Sequence, residues 1–432
     1  MERDRRSTKT KIPAAAPASS RSPTSSRGPA SARAPQSVRV PAVPAADSPE
    51  RPERRSPNRI KAGPLPIVDR LKADARFTGR GVVSAFLDSG FYAHPDLTTP
   101  YSRIHAYQDL LWFKDGVDHL KHSDASSWHG MMSTVVAAGN GALSGGRFRS
   151  LAPDLGLVLV KVGNMSRVLH HDIARGIEWV LTNRARYDIR ILNISCGGDY
   201  EASYLDDVIS RFAEAAIRAG IVVVAAAGNA GHSGPGNIVP PASVPAVITV
   251  GGIDDAGNPH LGRVTAYRSS YGATIDGIAK PEVVTLADWL PAPILPDTPT
   301  HKQVALLARL DKAKDDELGG IVDKHCGVFA PLDEARHQPP YLIRQIVAAA
   351  LRDHNVINEH YKMVDGTSFA APIVASVVAQ MLEANPDLKP HEVKRILIDT
   401  AQRVSGVDHD RQGWGAVQPG AAVARALETR KR

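Results

Sequence analysis

The chain has 432 residues and a mass of 46.2 kDa, and is 43% hydrophobic and 22% charged, an ordinary globular composition that excludes fibrous and wholly disordered classes. No window approaches the roughly 18 consecutive apolar residues of a membrane span; with only Cys196 and Cys326 there is neither a disulfide framework nor a CxxC zinc pair, which favours a reducing cytoplasm over secretion. Charge is uneven: residues 1–62 hold 14 of the 52 Lys and Arg against 5 of the 45 Asp and Glu, a net +9, so the rest of the chain carries −2 of the total +7.

Residues 1–62 consist of Arg, Pro, Ala and Ser with almost no large apolar side chain. Such a segment cannot offset the entropy of ordering itself, so a disordered basic tail is predicted. A solvated extension is the plain reading; contact with nucleic acid or an acidic surface is the alternative, although aromatics that would stack bases are missing. The charged start is not followed by the apolar stretch of a signal peptide, which again points to the cytoplasm.

From 63 to about 425 the chain alternates short β-branched runs with helical patterns. Strands are predicted at 81–87, 157–162, 189–194, 221–226 and 247–250, and helices at 128–138, 170–183 and 204–219. Strands that are nearly continuous apolar runs, separated by helices, indicate an α/β fold with a doubly wound, mostly parallel sheet. Its site is expected at the carboxyl ends of the strands. Residues 286–363 break the rhythm with charged amphipathic stretches at 302–318 and 340–354, read as a mainly helical insertion. Helices at 368–384 and 390–399 follow.

No GxGxxG after a strand, no GxxxxGK and no HExxH occurs, which removes the main support for dinucleotide, nucleotide and zinc-peptidase readings. Four polar features stand at strand or helix ends. Asp88 closes the strand 82–87 and is either a turn cap or a buried acid with a partner. His129 opens the helix 128–138, as a core histidine or a base. Gly228-Asn229 ends the apolar run 222–227, as a turn or as an amide aimed into a cleft. Ser368 stands at the start of an apolar helix, as an N-cap or as a group placed where the helix dipole favours negative charge. Together they supply an orienting carboxylate, a base, an amide donor and a nucleophile.

At this point the sequence resembles the subtilisin-like serine peptidases, the subtilase family. The resembling motifs are Leu87-Asp88-Ser89-Gly90 with His94-Pro95-Asp96-Leu97, His129-Gly130, Asn193-Ile194-Ser195-Cys196-Gly197-Gly198, Ala226-Ala227-Gly228-Asn229 and Gly366-Thr367-Ser368-Phe369-Ala370-Ala371-Pro372. The resemblance implies Ser368 as nucleophile, His129 as general base and acid, Asp88 as its orienter, and Asn229 with the Ser368 N–H as the oxyanion hole. It further implies that Ser195, Cys196 and Gly197 line the substrate cleft as an edge that an extended peptide joins, with Ala226, Ala227 and Gly228 as the other wall of the primary side-chain pocket. Polypeptide substrates follow, with acyl transfer through an acyl-enzyme and no required cofactor; structural calcium is implied by the resemblance alone, and no metal ligand is readable.

Three departures accompany the resemblance. The family's His-Gly-Thr-His reads His129-Gly130-Met131-Met132 here, which alters packing around a retained histidine. The tail offers no counterpart to the family's folded pro-domain, which favours an intracellular type of member. The insertion 286–363 exceeds the family norm and supplies the competing function, a weak or inactive binding protein whose cleft the insertion covers. Side-chain preference is not readable, because the pocket floor falls to a loop near 231–243.

Overall fold

A computed structural model describes residues 64–164 and 167–430; the expectations for the tail, 1–62, lie outside the described residues. The described chain begins with α1 (Ile67–Arg70), β1 (Val83–Asp88), α2 (Pro95–Thr98), β2 (Ile104–Asp109), β3 (Lys114–Asp115) and α3 (Ser127–Ala138). Next come β4 (Gly156–Lys161), the small antiparallel pair β5 (Gly163–Asn164) and β6 (Arg167–Val168), α4 (His170–Tyr187), β7 (Ile189–Ile194), α5 (Val208–Arg218), β8 (Val222–Ala226) and β9 (Ile248–Asp254). After β9 lie three two-residue strands, β10 (Thr265–Ala266), β11 (Gly272–Ala273) and β12 (Ala279–Lys280), then β13 (Val283–Leu286).

The main sheet runs β10-β9-β8-β7-β1-β4-β2-β3, with β13 on β9. All of its pairings are parallel except those of β10 and β3 at the two edges. This is the doubly wound α/β sheet that the apolar runs imply. Alternation along β1 sends Phe86 into the core on one face, among Met131, Ile373 and Val374, and sends Ala85 and Leu87 to the other, among Ile173, Ile177 and Ile209. The first layer is built by α3 and α10 (Thr367–Ala384), the second by α4 and α5. Because Ser84 and Asp88 share the parity of Phe86, Asp88 projects toward the layer that contains α3.

Some boundaries differ from the sequence-based expectation. The helix expected at 204–219 starts at Val208, because Asp207 caps it by accepting from the Ser210 N–H. The strand β2 was not expected: its IHAYQD sequence interrupts the apolar run with polar residues, two of which are partly or fully exposed near the sheet edge. The C-terminal helix α13 (Pro419–Arg430) was also missed; its Ala-rich sequence has only a narrow apolar stripe, Ala422, Val423 and Ala426.

Between β14 (Leu290–Pro293) and β15 (Tyr361–Val364), which pair antiparallel, lie α6 (Pro299–Lys312), α7 (Leu318–Lys324), α8 (Ala330–Glu334) and α9 (Pro340–Asp353). These helices enclose their own apolar cluster, including Leu307, Leu310, Leu318, Val322, Ile343 and Val347. Tyr361 Oη donates to the buried Asp96 Oδ2 at 2.6 Å, which ties the returning strand to the start of α2. The chain then enters α10, followed by α11 (Pro390–Thr400), α12 (His409–Gln412) and α13. Among the described residues α10 is the one helix long and apolar enough to cross a membrane, with mean hydropathy 1.3, but 89% of it is buried inside the fold.

Candidate active site

The carboxyl ends of β1, β7 and β8 and the N-terminal turns of α3 and α10 carry the polar residues singled out from the sequence. Asp88, the last residue of β1, is 2% exposed. Both its oxygens face His129 Nδ1, at 2.8 and 2.9 Å, and Oδ1 also accepts from the Ser89 N–H at 2.7 Å. A buried carboxylate so partnered avoids the cost of an isolated charge. With Nδ1 engaged by an acceptor, the neutral imidazole carries its proton there and leaves Nε2 as a lone-pair acceptor.

Close approach of α3 to the end of β1 explains the His129-Gly130 pair. A Cβ on Gly130 would fall 2.2 Å from the Gly90 carbonyl oxygen and 2.9 Å from Asp88 Cβ, so any larger residue would push His129 away from its carboxylate. Met131 and Met132 are buried in the core beneath. The imidazole meets the Trp128 ring edge to face at 5.2 Å and the Phe369 ring at 5.7 Å. Burial pulls the His129 pKa down, but the charge and hydrogen bond of Asp88 outweigh it and hold the group above the ordinary histidine value.

Ser368 is the second residue of α10, half-buried, after a Gly366 whose φ of 138° requires glycine. Its N–H is one of the four at a helix start without an intrahelical acceptor, in the region where the helix dipole favours negative charge. Ser368 Oγ donates to the Ser195 carbonyl at 3.1 Å. Asn229 Oδ1 accepts from both the Thr367 N–H and Thr367 Oγ, each at 3.0 Å. Since the Thr367 N–H can only donate, the oxygen must face α10, and Nδ2 is the free end, close beside Gly366. Thr367, not singled out from the sequence, is thus the residue that orients the amide; its hydroxyl also accepts from the Gly228 N–H at 3.2 Å.

The residues expected from the resemblance to line the cleft divide. Ser195 Oγ is turned inward, donating to the Ser368 carbonyl at 2.9 Å and accepting from Asn193 Nδ2 at 3.0 Å. Cys196 faces the opposite way, packed among the apolar residues of the α4–α5 layer with Sγ 3.9 Å from the Leu87 carbonyl. The strand parity of β7 therefore continues past its end, sending the two side chains to opposite faces of the sheet, so neither is directed outward as a substrate contact. Gly197 is exposed, Ala226 and Gly228 are half-buried, and Ala227 is buried. Among the described residues no group of three or more His, Cys, Asp or Glu side chains is arranged to hold a metal ion.

A model of the subtilase family matches residues 79–415. The chain is 31% identical over 349 residues to serine protease AprX of Bacillus subtilis, covering 79% of this chain and 65% of that protein. It is 30% identical over 219 residues to subtilisin E of the same species, covering 49% of this chain and 51% of that protein. It thus spans less than two thirds of the length of either relative. Among solved structures, the Clostridium perfringens CspB protease aligns with a TM-score of 0.60 at 14% identity, over 83% of this chain and 97% of that one. Fervidolysin from Fervidobacterium pennivorans, described as a keratinolytic enzyme related to subtilisin, aligns with a TM-score of 0.54 at 21% identity, over 81% and 43%. At such identities these two speak for the fold alone. With the family's match spanning most of the chain and covering both the β1 acid and the α10 serine, the chain belongs to the subtilase family.

Proposed function

We propose that this protein is a serine endopeptidase that cleaves extended polypeptides through an acyl-enzyme. The observation that carries the reading is the buried Asp88 bonded through both oxygens to His129 Nδ1, which leaves Nε2 as the base. In this mechanism the Ser368 hydroxyl turns from the Ser195 carbonyl to Nε2, which takes its proton as Oγ attacks the scissile carbonyl and later returns it to the leaving amine. Asp88 holds the tautomer and stabilises the imidazolium. Asn229 Nδ2 and the Ser368 N–H hydrogen-bond the oxyanion that the carbonyl becomes. The substrate pairs its backbone with the edge at 195–197, whose side chains point elsewhere and leave the main chain to do the pairing.

Ser368 should react with a fluorophosphonate probe, and Ser368→Ala should lose both labelling and casein cleavage. An unlabelled wild-type protein would favour the alternative of a binding protein whose cleft is covered by residues 286–363. The two unpaired cysteines, one of them exposed, support a reducing compartment such as the cytoplasm.

A further inference from the structure

Lys161 closes β4 in register with Asp88 on one side and Asp109 on the other. Its parity is that of Leu157 and Leu159, which lie in the core layer with Met131 and Val135 of α3, so the lysine and Asp88 project from neighbouring strands into the same layer. The Lys161 side chain is 6% exposed. A cation at that depth is costly unless its donors are met, and Nζ meets them on the segment that opens α3: it donates to Ser126 Oγ at 2.9 Å and to Asp124 Oδ2 at 3.2 Å.

Those acceptors are organised around one carboxylate. Asp124 Oδ1 accepts from the Ser126 N–H at 2.7 Å, from Ser127 Oγ at 3.2 Å and from the Ser126 hydroxyl. Ser126 stands just before the first turn of α3, where a serine side chain ordinarily caps the helix. Here it makes no capping bond, because its hydroxyl is engaged between Lys161 and Asp124.

Ser126 also touches the strand end that carries the acid. A Cβ on Gly90 would fall 2.7 Å from Ser126 Oγ and 2.8 Å from its carbonyl oxygen, and Ser89 Oγ lies 3.3 Å from both the Ser126 carbonyl oxygen and Asp88 Oδ1. His129 follows Ser126 within one helical turn. The start of α3 is thus tied to β4 through Lys161 and pressed against the end of β1, and the imidazole reaches Asp88 from that fixed start.

From this arrangement we infer that Lys161 is a positioning residue for the peptidase reaction: by holding Asp124 and Ser126 it sets the helix start from which His129 presents Nδ1 to Asp88 and Nε2 to Ser368. The inference rests on the serine-peptidase reading and adds to it a residue whose side chain bonds to none of the catalytic groups. Its effect is on geometry alone, and displacing a catalytic group by about 1 Å costs about 10²-fold in rate.

The test uses the full chain, a peptide p-nitroanilide and Lys161→Met, which keeps the apolar stem and removes the charge and its donors. With the variant shown to be folded by circular dichroism, kcat should fall by about 10–100-fold while KM stays within about twofold. Asp124→Ala should behave alike, and the double variant should lose little more than either single one, because both break the same tie. The Asp124 side chain is 60% exposed, so its variant decides the matter if Lys161→Met does not fold. A parental kcat in either folded variant, a raised KM with kcat unchanged, or losses that multiply in the double variant would overturn the positioning role. Fluorophosphonate labelling separates the two levels. A parent that labels and turns over beside variants of unchanged kcat overturns the role of Lys161 alone, whereas a parent that neither labels nor cleaves overturns the peptidase reading together with it.

Discussion

Ser195 and Ser368 are joined by two reciprocal hydrogen bonds: each hydroxyl donates to the other's carbonyl oxygen, at 2.9 and 3.1 Å. Pro372, inside α10, explains one of them. In a regular helix the residue four positions on would donate to the Ser368 carbonyl, and proline has no N–H to give. Ser195 Oγ takes that place, so the helix interruption that frees the carbonyl also anchors the serine to the end of β7.

Ser195→Ala should leave a part-buried carbonyl without its donor and cost about 1 kcal/mol of stability. It should also lower kcat more than it changes KM, because the residue acts on the placement of Ser368 and its side chain does not face the cleft. Urea denaturation and steady-state kinetics on the same preparation check both; parental stability would mean that the bond carries no weight.

Replacing Asp88 by Asn keeps the shape but offers His129 an N–H where it needs an acceptor, which favours the wrong tautomer. The expected loss is about 10⁴ in kcat. Circular dichroism of the variant should match the parent, and a loss smaller than tenfold would remove Asp88 from its orienting role.

The acid limb of the pH profile should reflect His129. Its pKa lies above the ordinary 6.5, with burial opposing and Asp88 prevailing, and the base must be neutral to act. The kcat/KM should therefore fall with decreasing pH through a midpoint above 6.5. In Asp88→Asn the residual activity should titrate at a lower pH, because burial remains while the attraction is gone. An unmoved midpoint in that variant would assign the limb to another group.

Asn229→Ala should reduce kcat by about 10²–10³ with little effect on KM, since in the proposed mechanism Nδ2 meets charge that develops mainly in the transition state. Thr367→Val, which retains the N–H but loses the hydroxyl that helps aim the amide, should fall between the parent and Asn229→Ala.

The two thiols should behave differently. Burial, and then the nearby charge of Asp88, push the Cys196 pKa up, so the reactive thiolate is scarce, while Cys326 is exposed. N-ethylmaleimide at neutral pH should modify Cys326 and leave peptidase activity unchanged. Inhibition that disappears in Cys196→Ser would show that Cys196 reaches the cleft.

The sequence by itself determined the period and the ends of the elements. The apolar runs around Leu87, Ile194 and Val224 are long enough and unbroken enough to be buried parallel strands, and the polar residues just beyond them, Asp88, Ser195 and Asn229, stand where such a sheet exposes its carboxyl edge. Only the tertiary structure decided which of these ends meet. The pair Asp88 and His129 is separated by 41 residues, and Ser195 and Ser368 by 173; the crossovers between strands bring them together, and no local pattern encodes that placement. The inward turn of Ser195, the core-facing Cys196, and the strands β14 and β15 framing the helical insertion belong to the same class. Each depends on a partner remote in the chain, because side-chain direction past the end of a strand is set by what packs against it and not by the residue's own propensity.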